Sequence, residues 1–144
     1  MIRLQTEPID YHAVTEAVRS PAAGAVCLFL GTVREMTGSQ RTIALTYEAH
    51  GSLALKMMAE VEAETRSKWP VTEVALIHRT GYLTLGEISV AVAVSSAHRK
   101  DAFAACQYAM DRLKEIVPIW KQDHDAAGGT SWVHPDTSDS SSNA

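Results

Sequence analysis

The chain has 144 residues, 46% hydrophobic and 21% charged, with a formal net charge of −4. That length and apolar content fit one compact domain with a sizeable core, and the acidic balance excludes a broad basic face for nucleic acid, leaving room only for a local cationic patch. No apolar run approaches the roughly 18 residues needed to cross a bilayer, and the opening MIRLQTEP lacks the basic start and apolar core of a signal peptide, so a cytoplasmic chain without a membrane partner is expected.

Ile2 to Thr6 reads as a short strand, and Pro8 to Arg19 as a helix with proline near its start, ended by Ser20-Pro21. Gly24 to Val33 (GAVCLFLGTV) is a nearly continuous apolar run of strand length, which predicts a buried strand. It leads into Arg34 and a loop over 35–41. Thr42 to Glu48 alternates as the next strand, and Ser52 to Trp69 predicts a long helix with Leu53, Met57 and Val61 inward, closed by Pro70. Glu73 to His78 is a strand, Thr80 to Gly86 a turn-rich connection, and Glu87 to Val94 a β-branched strand. In the next helix Phe103, Cys106, Met110, Leu113 and Val117 recur on one face, and Pro118 stops it. Ile119 to His124 and Ser131 to His134 read as short closing strands around the Gly128-Gly129 turn. Residues 136–144 are Ser/Asp-rich without an apolar anchor, a disordered tail by composition, so the domain is expected over 1–135. Strands and helices mix without strict alternation, which predicts an α+β fold with a largely antiparallel sheet.

The start of the third helix is unusual. His98, Arg99 and Lys100 occupy the turn where the helix dipole presents positive charge and acidic residues are preferred; an anion bound there would reverse the sign of that cost. Asp101 is the alternative, neutralising partner. Arg34 ends a buried strand and offers a planar fork for phosphate or carboxylate, against the alternative of a surface pair with Glu35 or Glu48. Lys114 falls on the edge of the apolar face, where burial would lower its pKa from the usual ~10.4; Lys121 follows in the next strand and points either into the same cleft or to water. Asp123, His124, Asp125 and His134 suggest a metal site only superficially, since strand neighbours point to opposite faces, and none is expected. Cys27 and Cys106 each lie in an apolar segment and read as reduced core thiols. Pattern alone reaches an anion-binding α+β domain with a lysine placed for acid–base or nucleophilic work, and no substrate.

Phe29-Leu-Gly-Thr-Val-Arg34, Tyr47-Glu-Ala-His50, His78-Arg-Thr-Gly81, Ser95-Ser-Ala-His-Arg99 with Asp101-Ala-Phe103, and Leu113-Lys-Glu-Ile-Val-Pro-Ile-Trp-Lys121 together resemble the large, catalytic subunit of the molybdopterin synthase family. The resemblance spans roughly residues 2 to 134, and its last segment is the most specific. It implies an α/β-hammerhead fold and a sulfur transferase that converts cyclic pyranopterin monophosphate to molybdopterin. Sulfur would come from the C-terminal Gly-Gly thiocarboxylate of a small ubiquitin-like carrier subunit, in a heterotetramer built on a homodimer of large subunits, with no cofactor. By the same resemblance Lys114 and Lys121 are the catalytic lysines. Arg34, His98 and Arg99 hold the pterin and its phosphate, with Thr32, Val33, Gln122 and Asp123 also on the substrate side, and Phe29 and Met110 line the pocket.

One departure stands out. Members of that family can carry an arginine shortly after the Trp132 region that reaches into the neighbouring subunit's site, whereas this chain has no Lys or Arg after Lys121 and reads Trp132-Val-His-Pro-Asp136 there. Phosphate binding then falls to Arg34, Arg99 and His134, or the cross-subunit contribution is weaker. Two other functions stay open at this point: a non-catalytic receptor for a ubiquitin-like tail, which needs no second lysine, and a phosphate-ligand module, which needs no protein partner.

Overall fold

A four-stranded sheet carries the main core. The computed structural model describes residues 1–133, beginning with β1 (Ile2–Gln5), α1 (Tyr11–Val18), β2 (Ala25–Thr32), β3 (Met36–Thr37), β4 (Gln40–Ala49) and α2 (Gly51–Lys68). The chain continues with β5 (Val71–Arg79), β6 (Gly81–Thr84), β7 (Ile88–Ser96), α3 (Arg99–Ile116), β8 (Ile119–Asp125) and β9 (Thr130–Val133). The first sheet has the order β1-β5-β7-β2, parallel between β1 and β5 and antiparallel elsewhere. A second sheet has the order β3-β4-β8-β9, with β6 paired antiparallel to β4. This is an α+β domain, as its mixed order of elements predicted.

Strand alternation divides the first sheet into two faces. Val74, Leu76, Val90, Val92 and Val94 point into a cluster completed by Met58 and Val61 of α2 and by Cys106, Met110 and Leu113 of α3. Ala75, Ile77, Ala91 and Ala93 point the other way, toward Val14 and Val18 of α1. Because both faces are covered, β7 reads as an apolar run and is buried along nearly its whole length. The helices α2 and α3 are also tied by Glu64, which accepts from Arg112 Nε at 2.9 Å and from the Tyr108 hydroxyl at 3.0 Å.

Two inward faces differ from the expected ones. In α2 the buried stripe is Ala54, Met58, Val61 and Thr65, while Leu53 is 41% exposed and Met57 is half-buried. In α3 the stripe is Ala102, Ala105, Cys106, Ala109, Met110 and Leu113, and Phe103 is 63% exposed. The reason is common to both: small residues let a helix approach closely, so alanines take the contact and the larger apolar side chain is displaced to the flank. The connection over 80–86 contains β6, and the loop over 35–41 contains the short β3 hairpin; each pairs with β4, which the sequence pattern of single segments does not reveal. The His134 end of the last expected strand and the 136–144 tail lie outside the described residues. Among the described residues no helix is long and apolar enough to cross a membrane.

Candidate active site

The site forms where α3 ends and β8 begins. The α3 backbone closes at Val117, whose N–H donates to Leu113, and Pro118 prevents continuation. Lys114 therefore sits in the last helical turn, where the dipole favours a cation. The chain reverses at once into β8, and Ile119 N donates to the Val117 carbonyl at 2.9 Å. That reversal turns the chain so that the Lys121 charge acts on Lys114. In β8 the cross-strand partner of Lys121 is Tyr47 and that of Asp123 is Leu45, so Lys121 and Asp123 share the inner face.

Gln122 lies on the other face of β8, opposite Thr46 and Trp132. Strand alternation thus puts its side chain on the face of β8 opposite those of Lys121 and Asp123. His124 shares the outer face, where its Nε2 is 2.8 Å from the Thr46 hydroxyl and its ring packs on Tyr82. Asp125 accepts from the Ala127 and Gly129 amides and so caps the β8–β9 turn.

Arg34 arrives from β2. Its position is fixed by Val33, which is buried with Leu45 and Leu83, donates its N–H to the Glu87 carbonyl and accepts from Gly86. Buried Val33 thus anchors the strand end, and the exposed Thr32 borders it. Upstream, a Cβ on Gly31 would meet Val90 Cγ1 of the paired strand β7 at 2.6 Å, so a larger residue there would force that side chain to shift. Glu35 is bound by Arg41 at 2.8 Å, and no carboxylate among the described residues pairs with Arg34. Half-buried Phe29 lies on the α3 side of β2 and packs on the cluster that contains Met110.

Electrostatics join these elements. The Lys114 ammonium is held below the ordinary lysine range, first by burial, then by the charges of Lys121 and Arg34, with Asp111 partly opposing the shift. The charges of Lys121 and Arg34 thus act on Lys114 from two other elements, with Asp111 the carboxylate acting on it. This arrangement favours an anionic ligand or a negative charge that develops during a reaction.

His98 and Arg99 are not part of this cluster within one chain. They are exposed at the other end of α3, where they border a shallow depression with Gly24, Ala97 and Lys100. Fifteen helical residues separate Arg99 from Lys114, which is roughly 22 Å at 1.5 Å per residue. The His98 side chain makes no capping bond to the first turn, so the unusual cationic helix start persists in the fold.

Two site residues received no role from sequence pattern. His78 is 6% exposed and lies on the α3 side of β5, two residues beyond Leu76. Tyr47 packs edge-on against its ring with centroids 5.0 Å apart. Burial pushes the Tyr47 hydroxyl up, Ser89 partly offsets this and Asp123 adds to it. The signal in the sequence was a histidine ending an otherwise apolar strand on its buried parity.

His78 is held down to about 4, chiefly by burial, against a favourable Arg79 carbonyl and with the Lys114 charge adding to the depression. The unfolded chain then binds a proton that the folded chain refuses between the ordinary histidine value of 6.5 and about 4. Stability should therefore be full above that window and fall through it on acidification, by up to about 3 kcal/mol from this residue. Urea melts at pH 7, 5.5 and 4.5 should show the loss, and a folded His78→Phe variant should show a shallower one.

The sequence profile of the MoaE protein family matches residues 4–116, which takes in Arg34, His78, His98, Arg99 and Lys114 and ends before Lys121. A molybdopterin synthase catalytic subunit from Halalkalibacterium halodurans is 44% identical over 130 residues, 90% of this chain and 83% of that one. Its counterpart in Bacillus subtilis is 46% identical over 116 residues, 81% of this chain and 74% of that one. Among solved structures, molybdopterin synthase from Staphylococcus aureus superposes with a TM-score of 0.86 at 42% identity, covering 90% of this chain and 94% of that chain. With a family profile across most of its length and relatives this similar over most of theirs, the chain belongs to the MoaE protein family.

Proposed function

We propose that this chain is the catalytic subunit of a molybdopterin synthase and transfers sulfur to cyclic pyranopterin monophosphate from the thiocarboxylated tail of a small carrier subunit. The observation that carries the reading is the convergence of Lys114, Lys121 and Arg34 in a member of this family. A thiocarboxylate is an anion, and attack of a nucleophile at the carbonyl carbon, once its sulfur is bonded to the pterin, moves negative charge onto the carbonyl oxygen. Lys114 supplies positive charge there without a fixed carboxylate partner of its own. Lys121, on the inner face of β8, is placed for proton transfer to the same reacting groups. Arg34 holds the phosphate, Thr32 and Asp123 border the pterin, and Phe29 with Met110 form the apolar wall. Each sulfur leaves the carrier's carbonyl carbon, which takes an oxygen from water and ends as a carboxylate.

His98 and Arg99 enter this reading through a second copy of the chain. Their distance from Lys114 is too great for one small ligand, so a homodimer that places one copy's α3 start beside the other's α3 end completes the site. Free Cys27 and Cys106, both in apolar surroundings, fit the reducing cytoplasm as the place of work. The reading is tested by incubating the purified chain with the pterin monophosphate, with and without thiocarboxylated carrier. Product only with the carrier supports it; product without the carrier, or carrier binding with no product, contradicts it.

A further inference from the structure

The first sheet has a long edge that the described residues leave unpaired. Its order is β1-β5-β7-β2, so β1 and β2 each have a neighbour on one side only. The β1 edge is short and carries Arg3, a usual form of edge protection. By contrast β2 has eight residues, AVCLFLGT, with no charge and no proline. Val26 is 40% exposed and residues 27–30 are only half-buried, whereas β7, paired on both sides, is buried almost throughout. A long apolar edge with open N–H and C=O groups is a template for another strand.

The helix over this edge shows the same bias. Tyr108 and Arg112 of α3 face Glu64 of α2, which itself packs over β1 and β5. Phe103, Met110 and Lys114 recur at nearly whole turns on the opposite flank, toward the β2 edge, and Phe103 is left exposed there. Strand and helix also run in register. A Cβ on Gly24 would meet the Ala97 oxygen at 2.7 Å, and Gly24 lines the depression with His98 and Arg99, so β2 starts beside the start of α3. Phe29 pairs with Val92, whose carbonyl accepts from Cys106 Sγ at 3.6 Å, so the middles of β2 and α3 lie at one level. The strand then leads to Arg34, at the Lys114 end of the helix.

We propose that the free edge of β2 is the dimer interface: two copies join their first sheets edge to edge through antiparallel β2 pairing centred on Phe29. A two-fold axis there sets Arg34 of one copy opposite Gly24 of the second copy, and so beside the second copy's His98 and Arg99. The same axis passes near Cys106 and Gln107 of α3. It sets Arg99 toward Lys114 of the second copy and exposed Phe103 toward Met110 of the second copy. The register read on the strand thus agrees with the register read on the helix. Because α3 packs over both β7 and β2, the two α3 helices end about two strand spacings apart, roughly 10 Å, which is within ordinary helix-packing distance. The inference deepens the functional reading above and rests on it for the chemistry of the completed site.

The test uses the full chain in sedimentation velocity over micromolar concentrations. Phe103→Lys alters a side chain that a single copy leaves exposed, and it brings like charge toward Lys114 of the second copy. We expect a dimeric wild type and a dissociation constant about tenfold higher in Phe103→Lys. Tyr82→Lys, similarly exposed on the second sheet, should leave the dimer unchanged. Exposed Gln107 lies close to the axis, so Gln107→Cys treated with a short bismaleimide should give a covalent dimer, and Tyr82→Cys should not.

A monomeric wild type, a dimer that Phe103→Lys leaves intact, or a dimer without the Gln107→Cys cross-link overturns the proposal. Should Phe103→Lys not fold, the cross-link decides. None of these measurements needs carrier or pterin. A chain that dimerises in this way and makes no product sinks the functional reading alone, and an active chain that fails these tests sinks this inference alone.

Discussion

Lys114→Ala should yield a folded chain that has lost turnover. The lysine is half-buried, and burial, Lys121 and Arg34 all disfavour its charged form in the folded state. A lysine whose pKa is lowered by folding destabilises the native state at neutral pH, where the unfolded chain holds the proton more readily. Deleting it relieves that repulsion and loses only the packing of its stem, so the melting midpoint should stay within about 1 kcal/mol of wild type in stability. Catalysis should respond quite differently. Loss of a preorganised charge at a developing anion reduces rate by about 10²–10³-fold, and more if the same lysine also moves a proton. Thermal melts followed by circular dichroism, paired with single-turnover sulfur transfer, separate the two effects. A folded variant with wild-type turnover would remove Lys114 from the reaction, and an unfolded one would contradict the stability expectation.

The second large effect concerns the length of α3. Lys114→Ala and Arg99→Ala should each be inactive alone, because each removes a different anion contact. If one copy's Arg99 serves the other copy's Lys114, unfolding and refolding an equal mixture restores intact sites. Half of the dimers are then mixed, and each holds one site with both residues native, which gives about a quarter of wild-type activity. A site made within one chain gives no recovery at any mixing ratio. The roughly 22 Å between the two ends of α3 makes recovery the expected result.

Much of this arrangement was legible from residue patterns, for reasons that can be named. The strand ending in Arg34 and the helix stopped by Pro118 follow from local rules, since a buried strand is an apolar run and proline cannot continue a helix. Cations at a helix start are unfavourable wherever they occur, so His98 and Arg99 stood out before any fold was known. What pattern could not supply was lateral placement. Phe103 and Leu53 satisfied helical periodicity, yet alanines one position away took the contact, because close packing depends on the opposing sheet. Gln122 enters only through the family resemblance, and strand alternation puts it on the face of β8 opposite Lys121 once the β4–β8 register is fixed. His78 and Tyr47 lie in segments that resemble the family but gain a position only when β5 and β4 are brought together. Nor could adjacency show that the two basic ends of one helix lie too far apart to share a ligand.

The measurement that bears most directly on the central claim follows the sulfur itself. The carrier is prepared with a radiolabelled thiocarboxylate sulfur and mixed with the chain and cyclic pyranopterin monophosphate, and the pterin product and the carrier are then separated. The account predicts label in the pterin and a carrier whose C-terminus has become a carboxylate, with neither change when Lys114→Ala replaces the wild-type chain. Label that stays on the carrier, or that reaches the pterin equally well without the chain, would contradict it.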